Sequence, residues 1–209
     1  MSVLYEYQAM IMPQAVRPEQ VIGLDYKSDG LYMDSEGCCS SMPHYFRKNQ
    51  KKLTKAQRKL KAKQPYSANY RKQQKKIARA AKKAANQRKD FLHKKSTEIA
   101  NQYDLVCVED LDIRALANRG FGNGKATLDN GYGSFLTMLK YKLGERGKSL
   151  IRIDKWYASS RICSQCGKVK VMPLSVRWYE CGCGMSMDRD LNAAINIRNK
   201  GYKIYLKAA

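Results

Sequence analysis

Three acidic residues stand where a metal-dependent enzyme would need them. Asp25 ends the apolar run that starts at Val21, and Glu109 ends the run that starts at Asp104. Asp190 opens the last helical segment of the sequence. Both runs are typical of buried strands, and groups at the strand ends of an open α/β sheet converge in a crevice. We therefore predict that the three carboxylates meet in one catalytic site.

The chemistry expected of such a site is metal-assisted hydrolysis. Three converging carboxylates repel one another unless a cation lies between them, and Mg²⁺ prefers oxygen ligands. Two such ions about 3.5–4 Å apart can activate a water molecule and stabilise the leaving oxygen of a phosphodiester. The set Asp25, Glu109 and Asp190 therefore favours a magnesium site, with two ions expected.

Each acid also has a purely structural interpretation. Asp25 could be a turn residue and Asp190 a helix cap, while Glu109 could be a surface acid beside Asp110. Asp188 competes with Asp190, because it precedes the helix and could be its N-cap. The joint placement of the three acids, rather than any one of them, favours a metal centre.

Four cysteines have the spacing of a second, different metal site. They form a Cys-x2-Cys pair and a Cys-x-Cys pair separated by fourteen residues: Cys163, Cys166, Cys181 and Cys183. Thiolates are soft ligands that suit zinc, and four of them leave no coordination position open. We expect one structural zinc ion that organises an insert too short to have its own core. Four free thiols are the alternative.

The remaining sequence indicates the compartment. Cys38 and Cys39 are adjacent and are interpreted as plain thiols, and Cys107 as a packing residue in a strand. An odd total of seven cysteines suits a reducing cytoplasm with metal rather than disulfides. The start of the chain lacks a basic segment followed by an apolar run, and no apolar stretch approaches the ~18 residues of a membrane span. A cytoplasmic protein without a membrane segment is expected.

The charge of the chain indicates a polyanionic partner. Its 209 residues carry 40 Lys and Arg against 18 Asp and Glu, a formal charge of +22, and nucleic acid is the usual partner of such an excess. Residues 46–95 contain twenty basic residues and one acid, Asp90. A solvated helix face is the alternative, although like charges at i,i+4 are mildly destabilising. The predicted phosphate contacts are Lys51, Lys52, Lys55, Arg58, Lys59, Arg71, Lys72, Lys75, Lys76 and Arg79.

Strands that alternate with helices indicate an α/β fold to position these residues. The turn at residues 28–30 predicts a hairpin whose returning strand starts at Leu31, and residues 149–154 predict another strand. Pro65 and residues 67–69 divide the basic block into two helices. The second of these helices should have a narrow apolar seam formed by Ile77, Ala81, Ala84 and Phe91.

Further helices are expected after a glycine-rich stretch. Residues 118–133 contain five glycines and are predicted to form a mobile loop with no helix at the end of its Gly-x-Gly-x-Gly element. Ser134 could cap a helix that ends near Gly147 and has Phe135, Leu139 and Leu143 on one face. The final helix should run from about Asp190 to Lys200, with its inward face formed by Leu191, Ala194 and Ile195.

Together these pieces resemble the TnpB family of transposon-encoded proteins, relatives of the type V CRISPR effector nucleases. The resemblance covers about residues 20–200. Its segments are residues 23–25, 31–37, 86–93, 108–111, 129–133, 159–167 and 188–197.

The resemblance implies an RNase H-like RuvC nuclease core at residues 21–160, with the basic helices 46–95 inserted. A zinc ribbon at 161–186 and a C-terminal helix at 187–209 would complete the chain. The family's metal ligands match Asp25, Glu109 and Asp190, which favours Asp190 over Asp188. The implied function is a Mg²⁺-dependent DNA endonuclease whose partners are DNA and a guide RNA from the transposon end, with no small-molecule substrate.

One departure from the family pattern concerns the N-terminus. The family normally carries a sizeable N-terminal lobe, whereas here residues 1–20 are interpreted as a remnant or linker. The alternative function is therefore a truncated or repurposed nucleic-acid-binding protein without specific cleavage. A transposase with a Tyr nucleophile is poorly supported, because His44 and His93 lie far apart and form no His-x-His pair.

Overall fold

The computed structural model describes residues 15–118, 124–173 and 175–208. Its main sheet has five strands: β1 Val21–Tyr26, β2 Tyr32–Asp34, β3 Cys39–Ser40, β4 Leu105–Glu109 and β5 Ser149–Ile153, in the order β3-β2-β1-β4-β5. The first three strands form an antiparallel meander, and β4 and β5 run parallel to β1. The expected α/β class, the hairpin and the strands at 105–109 and 149–153 are confirmed.

Helices cover both faces of this sheet, after a short 3-10 turn at Pro18–Gln20. They are α1 Tyr45–Lys61, α2 Ala68–Gln102, α3 Ile113–Leu116, α4 Gly124–Asn130, α5 Tyr132–Gly144 and α6 Arg189–Ala208. A separate hairpin consists of β6 Trp178–Glu180 and β7 Ser186–Asp188. Within the described ranges, no helix combines the length and the apolar character needed to cross a membrane.

Two hydrophobic clusters hold the layers together. Under α2 and α5, the buried side chains include Leu24, Val108, Leu92, Phe135 and Leu139. Under α6, they include Val21, Leu105, Cys107 and Ile197. Because both faces of the sheet are covered, β1 and β4 are nearly continuous apolar runs. Cys107 is therefore a packing residue, as expected.

The two basic helices form as the sequence indicates, with the break at residues 62–67. Ser67 caps α2, since its hydroxyl accepts a hydrogen bond of 3.1 Å from the backbone N–H of Tyr70. The expected seam is only partly correct: Ala84 is buried, but Ala81 is exposed. Helix α2 packs on α1 and on α5, and near its start Gln73 donates a hydrogen bond to the carbonyl of Ala56 in α1. In its second half, Leu92, Ile99 and Ala100 belong to the buried cluster that includes strand residues.

A buried lysine fixes α2 to α5. The Nζ of Lys142 donates hydrogen bonds to the carbonyl oxygen of His93 at 2.7 Å, to Ser96 Oγ at 2.8 Å and to Thr97 Oγ1 at 2.7 Å. Burial lowers the pKa of Lys142. These three bonds anchor the core end of α2.

The glycine-rich stretch differs from the prediction. Residues 124–130 form the helix α4 instead of a loop, and residues 119–123 lie outside the described part. Tertiary contacts stabilise α4: Asp129 accepts hydrogen bonds from the backbone N–H groups of Phe46 and Arg47, and Asn130 donates to the carbonyls of Lys27 and Ser28. Local sequence patterns could not predict α4, because the partners that stabilise it lie about 80–100 residues away.

The starts and ends of the last two long helices also need correction. Gly131, with φ 64°, is the N-cap of α5, so Ser134 lies inside the helix rather than at its cap. The predicted face of Phe135, Leu139 and Leu143 is fully buried. The final helix continues to Ala208, and its inward residues are Asn192, Ala193, Ala194, Asn196 and Ile197, with Leu191 and Ile195 only half-buried.

Gly23 sets the close approach of β1 to α6. A Cβ atom at this position would overlap the carbonyl oxygen of Ala194 and would lie 2.6 Å from the backbone nitrogen of Arg198. Backbone atoms of a packed helix cannot move aside cheaply, so Gly23→Ala should lower the free energy of unfolding by about 1–3 kcal/mol. Chemical denaturation measures this change.

Gly133 in α5 provides the matched control. A Cβ atom there would meet no atom within 4 Å. Because alanine favours helix more than glycine does, Gly133→Ala should be neutral or should stabilise by up to about 1 kcal/mol. Equal unfolding curves for the Gly23→Ala variant and the wild type would show that β1 and α6 are not closely packed.

Candidate functional site

The pleat of the sheet explains why two of the three acids share one face. Side chains alternate along a strand, and Gly23 of β1 and Cys107 of β4 both contact α6. Asp25 and Glu109 come two residues later in the same strands, so both fall on the α6 side. Asp190 lies in the first turn of α6. The structure therefore brings all three acids to one place, at the carboxyl ends of β1 and β4.

The acids line an open cleft of about 610 Å³. Its walls come from the end of β1, from the segment after β5 and from the start of α6. Besides Asp25, Glu109 and Asp190, they include Lys27, Tyr157, Ser159, Arg177 and Asp188. The cleft is accessible from solvent and mostly polar, which suits a charged substrate.

Two of the carboxyl groups have raised pKa values. Burial raises the pKa of Asp25 well above its usual range, and the carboxylates of Glu109 and Asp190 raise it further. Burial also raises the pKa of Glu109, while a hydrogen bond of 2.5 Å from Ser159 Oγ acts in the opposite direction. The site therefore contains more negative charge than the protein alone stabilises.

Asp188 and Asp190 have different surroundings. The carboxylate of Asp188 accepts hydrogen bonds from the backbone N–H groups of Asp190 at 2.8 Å and Leu191 at 3.2 Å, so Asp188 caps α6. The carboxylate of Asp190 lies 3.4 Å from Lys27 Nζ and 3.9 Å from an Nη atom of Arg177. The N-cap hypothesis for Asp188 is confirmed. Both acids line the cleft, but the Asp188 carboxylate is engaged at the helix end, whereas that of Asp190 faces the cations of the cleft.

Sequence reasoning missed the cations of the cleft. Lys27 follows Asp25 by two residues, and this proximity was the one available signal. Arg177 directly precedes β6, and the pairing of β6 with β7, which sets Trp178 opposite Asp188, brings Arg177 beside the start of α6. Only the fold brings the two side chains to the carboxylate of Asp190.

The four cysteines of the predicted zinc site form one cluster. Their sulfur atoms all lie within 4.8 Å of one another, with Cys163 and Cys183 at 3.7 Å and Cys166 and Cys181 at 3.5 Å. A tetrahedral site with Zn–S distances of about 2.3 Å sets its sulfur atoms about 3.8 Å apart. The cluster therefore fits a zinc ion.

The backbone turns around this cluster at two glycines. Gly167 has φ 74° and donates its N–H to the carbonyl of Cys163, and Gly184 has φ 92° and donates to the carbonyl of Cys181. Glycine adopts this left-handed conformation without a Cβ clash. Outside the cluster, Cys38 and Cys39 are exposed free thiols, as expected.

Two asparagines of α6 join the cysteine-containing insert to this helix. Asn192 accepts a hydrogen bond from the backbone N–H of Ser164 and donates to the carbonyl of Ile162. Asn196 donates to the carbonyls of Ser159 and Ile162. The two residues are four positions apart and share one helix face. Their amides therefore couple the cysteine cluster to the helix that carries Asp190.

Comparison with known families identifies the chain. The family described as "Probable transposase" matches residues 2–120, and the family described as "Cas12f1-like, TNB domain" matches residues 132–197. The chain belongs to this transposase family. The TnpB resemblance seen in the sequence is thereby confirmed.

Curated relatives carry names of the same kind. A Streptomyces pristinaespiralis protein named "Putative RNA-guided DNA endonuclease" is 38% identical over 181 residues, covering 86% of this chain and 45% of the relative. InsQ of Escherichia coli K12, which carries the same description, is 31% identical over 200 residues, covering 88% of this chain and 50% of InsQ. The mimivirus TnpB-like protein L79 is 31% identical over 135 residues, covering 60% of this chain and 25% of L79.

Solved structures show the same fold. In a cryo-EM structure of a Cas12f1–sgRNA–target DNA complex, the matching chain gives a TM-score of 0.61 at 20% identity, covering 89% of this chain and 51% of that chain. A CRISPR–Cas12f ternary complex gives a TM-score of 0.60 at 20% identity, covering 92% and 41%. The Streptomyces and Escherichia coli relatives and the two structures match most of this TnpB-family chain, but the chain spans only about half of their length.

Proposed function

We propose that this chain is the nuclease part of a metal-dependent, RNA-guided DNA endonuclease. The observation that carries the proposal is the convergence of Asp25, Glu109 and Asp190 from β1, β4 and α6 in one cleft. The names of the relatives from Streptomyces and Escherichia coli support the RNA and DNA partners. Transposition is the cellular setting that the family membership favours.

The proposed domain organisation follows from the topology. An antiparallel meander continued by two parallel strands, with the acids at strand ends, supports an RNase H-like RuvC core at residues 21–160. Within it, residues 46–95 form the basic helical insert. Residues 161–186 would form the zinc ribbon, and 187–209 the helix that completes the core.

The residues of the cleft fit divalent ions. Three carboxylates line one cleft, and burial together with the charges of Glu109 and Asp190 raises the pKa of Asp25, so a cation bound between them would stabilise its ionised form. Mg²⁺ takes such ligands, and two ions would supply an activated water molecule and stabilise the leaving oxygen of a phosphodiester. We assign Asp25, Glu109 and Asp190 as the ligands.

Other side chains of the cleft have supporting roles in this proposal. Ser159 donates to Glu109 and fixes the orientation of its carboxylate. Lys27 and Arg177 pair with Asp190 in the protein alone, and metal ions held by the carboxylates would leave both cations available for a substrate phosphate. Arg177, 71% of whose side chain is exposed, can reach a nucleic acid that enters the cleft.

We also propose that Cys163, Cys166, Cys181 and Cys183 hold one structural zinc ion. Four thiolates close the coordination sphere, so the ion takes no part in the reaction. Its role is to fix the ribbon, which carries Arg177 to the cleft.

The nucleic-acid interface is assigned to α1 and α2. All ten basic residues that the sequence singled out are exposed, and in the described part of the chain none of them forms an ion pair with a carboxylate. On α1, one groove is lined by Arg47, Lys51, Lys55 and Arg58, which recur at helical spacing. Such a stripe matches the repeated charges of a phosphate backbone.

Replacing Lys51, Lys55 and Arg58 by Gln should reduce the salt dependence of duplex DNA binding. Each lost phosphate contact lowers the slope of log K against log salt by about 0.9, so a reduction of about 2.7 is expected if all three bind phosphate. Fluorescence anisotropy between 50 and 200 mM salt measures the slope.

Lys94→Gln is the matched control. Lys94 already pairs with Asp90 at 2.8 Å, so its replacement should leave the salt dependence of binding unchanged. A wild-type affinity that does not change with salt would show that α1 and α2 are merely solvated.

A second candidate function is favoured by the exposed basic faces of α1 and α2, which can bind phosphates without a metal ion. The chain would then bind nucleic acid without cutting at a specific site. Sequencing the RNA that co-purifies with the protein tests guide binding, and incubating that complex with matching DNA and Mg²⁺ tests cleavage. One defined transposon-end RNA with DNA cleavage supports the endonuclease. Random RNA fragments and uncut single- and double-stranded DNA support the binding protein.

A further inference from the structure

Tyr66 joins α1 to α2 in a conformation that tyrosine rarely adopts. Its φ is 64°, and among the non-glycine residues of the described ranges only His44 shares a positive φ. The backbone N–H of Ser67 donates to the carbonyl of Gln64 at 3.3 Å, so Pro65 and Tyr66 are the central residues of the turn. A proline followed by a positive φ indicates a type II turn, where glycine or asparagine is preferred at the position of Tyr66.

The fold does not use the Tyr66 ring. The residue is 83% exposed, which leaves its ring outside the hydrophobic clusters. By contrast, the imidazole of His44 lies between the carboxylates of Asp29 and Asp129, at 3.6 and 4.0 Å. His44 therefore has partners that can offset its backbone strain, whereas Tyr66 is both strained and exposed. Strain retained without a structural gain indicates a function.

The surroundings of Tyr66 show what kind of partner fits. Four basic residues flank the turn, and all but the half-buried Lys63 are exposed: Lys61 at the end of α1, Lys63 in the connecting segment, and Arg71 and Lys72 near the start of α2. No acidic residue occurs between positions 46 and 89. The turn between α1 and α2, the tip of a helical hairpin, therefore carries an exposed aromatic ring surrounded by positive charge. Proteins that bind single-stranded nucleic acid use this combination.

We propose that Tyr66 stacks on an unpaired nucleobase, while the flanking lysines and arginines bind phosphates of the same strand. The inference rests on the proposed nucleic-acid interface of α1 and α2. An unpaired base is the partner because its face is open to a ring at a hairpin tip, whereas bases inside a duplex are covered by their neighbours. Since every base has a π-face, no sequence preference is expected.

The test separates the base from the phosphates. Binding is measured without Mg²⁺ to two single-stranded oligomers of equal length, one of thymidines and one in which most thymidines are replaced by abasic sites. Tyr66→Gly should bind the thymidine oligomer roughly tenfold more weakly than the wild type. Binding of the abasic oligomer should be unchanged, because its phosphates are the same. Tyr66→Phe keeps the ring and should keep wild-type affinity for both.

Stability provides the second measurement. Glycine adopts a positive φ without strain, so the melting temperature of Tyr66→Gly should equal or exceed that of the wild type. The affinity loss then cannot result from unfolding.

Three results would overturn the proposal: unchanged binding of the thymidine oligomer by Tyr66→Gly, an equal loss on both oligomers, or no wild-type binding of either. DNA cleavage, measured separately with Mg²⁺, tests the proposed nuclease and does not enter this comparison.

Discussion

Asp25→Asn is expected to lower the rate of Mg²⁺-dependent DNA cleavage by about 10³-fold or more. Metal ions contribute several kcal/mol to stabilising the transition state, and each 1.36 kcal/mol corresponds to a factor of ten in rate. Asn keeps the shape of Asp25 but removes the charge that would hold the ions. Nucleic-acid affinity should stay the same, because the basic faces of α1 and α2 lie outside the cleft. Cleavage rates and anisotropy on the same preparation measure both effects.

The same variant should be more stable than the wild type without metal. Burial and the carboxylates of Glu109 and Asp190 raise the pKa of Asp25, so its charged form destabilises the metal-free fold at neutral pH. Removing that charge should raise the melting temperature, by about 2–4 °C for each kcal/mol gained. Added Mg²⁺ should stabilise the wild type, because ligands that bind only the native state do so, but should have little effect on the variant.

Asp110→Asn is the matched control for this prediction. Asp110 follows Glu109 directly, but its carboxylate pairs with Arg152 at 2.8 Å, outside the cleft. The control should cut at the wild-type rate. Equal losses in Asp25→Asn and Asp110→Asn would mean that the acids at the end of these strands serve the fold rather than the chemistry.

Cys163→Ser is expected to release the zinc ion and unfold the ribbon. Among the described residues of the ribbon, the buried core consists of Cys163, Tyr179 and Met185. So small a cluster cannot replace a structural zinc site, whose binding contributes about 10–16 kcal/mol in zinc-finger peptides. Metal analysis should find close to one Zn per wild-type chain and much less in the variant. Cleavage should fall as well, since Arg177 would leave the cleft.

Cys38→Ser controls for the loss of a thiol. Cys38 is exposed and lies outside the four-cysteine cluster, so its substitution should leave the zinc content at about one. A zinc content near zero in wild-type protein purified without a chelator would contradict the ribbon assignment. Full retention of zinc in Cys163→Ser would do the same.

The sequence predicted the site best where short motifs carry the information. Asp25 and Glu109 end apolar strands, and groups at the strand ends of an open α/β sheet converge in a crevice. That both share one face follows only from the register of β1 and β4. The spacing of the four cysteines was enough to predict their cluster. Helix α2 was also predictable, because Ser67 is a strong N-cap and the basic residues favour helix over strand.

The sequence could not reveal contacts between distant segments. Helix α4 depends on Asp129 capping α1 and on Asn130 binding the turn after β1, and neither partner is near in sequence. The pairing of Arg177 with Asp190 depends on the register of β6 and β7, which the sequence did not show. The strain at Tyr66 is a backbone property, invisible until φ is known. These features required the fold. The pairing of Arg177 with Asp190 bears on the proposed metal site, and the strain at Tyr66 bears on the proposed nucleic-acid contact.

The most direct test of the metal centre is a titration with Mn²⁺, which suits the same oxygen ligands as Mg²⁺. Electron paramagnetic resonance measures the Mn²⁺ that stays free in solution. The wild-type protein should bind up to two Mn²⁺ per chain, and the doubly substituted Asp25→Asn, Glu109→Gln variant should bind none at the same concentrations. Failure of the wild type to bind Mn²⁺, or equal binding by the wild type and the variant, would contradict the assignment of Asp25, Glu109 and Asp190 as the ligands of a catalytic metal centre.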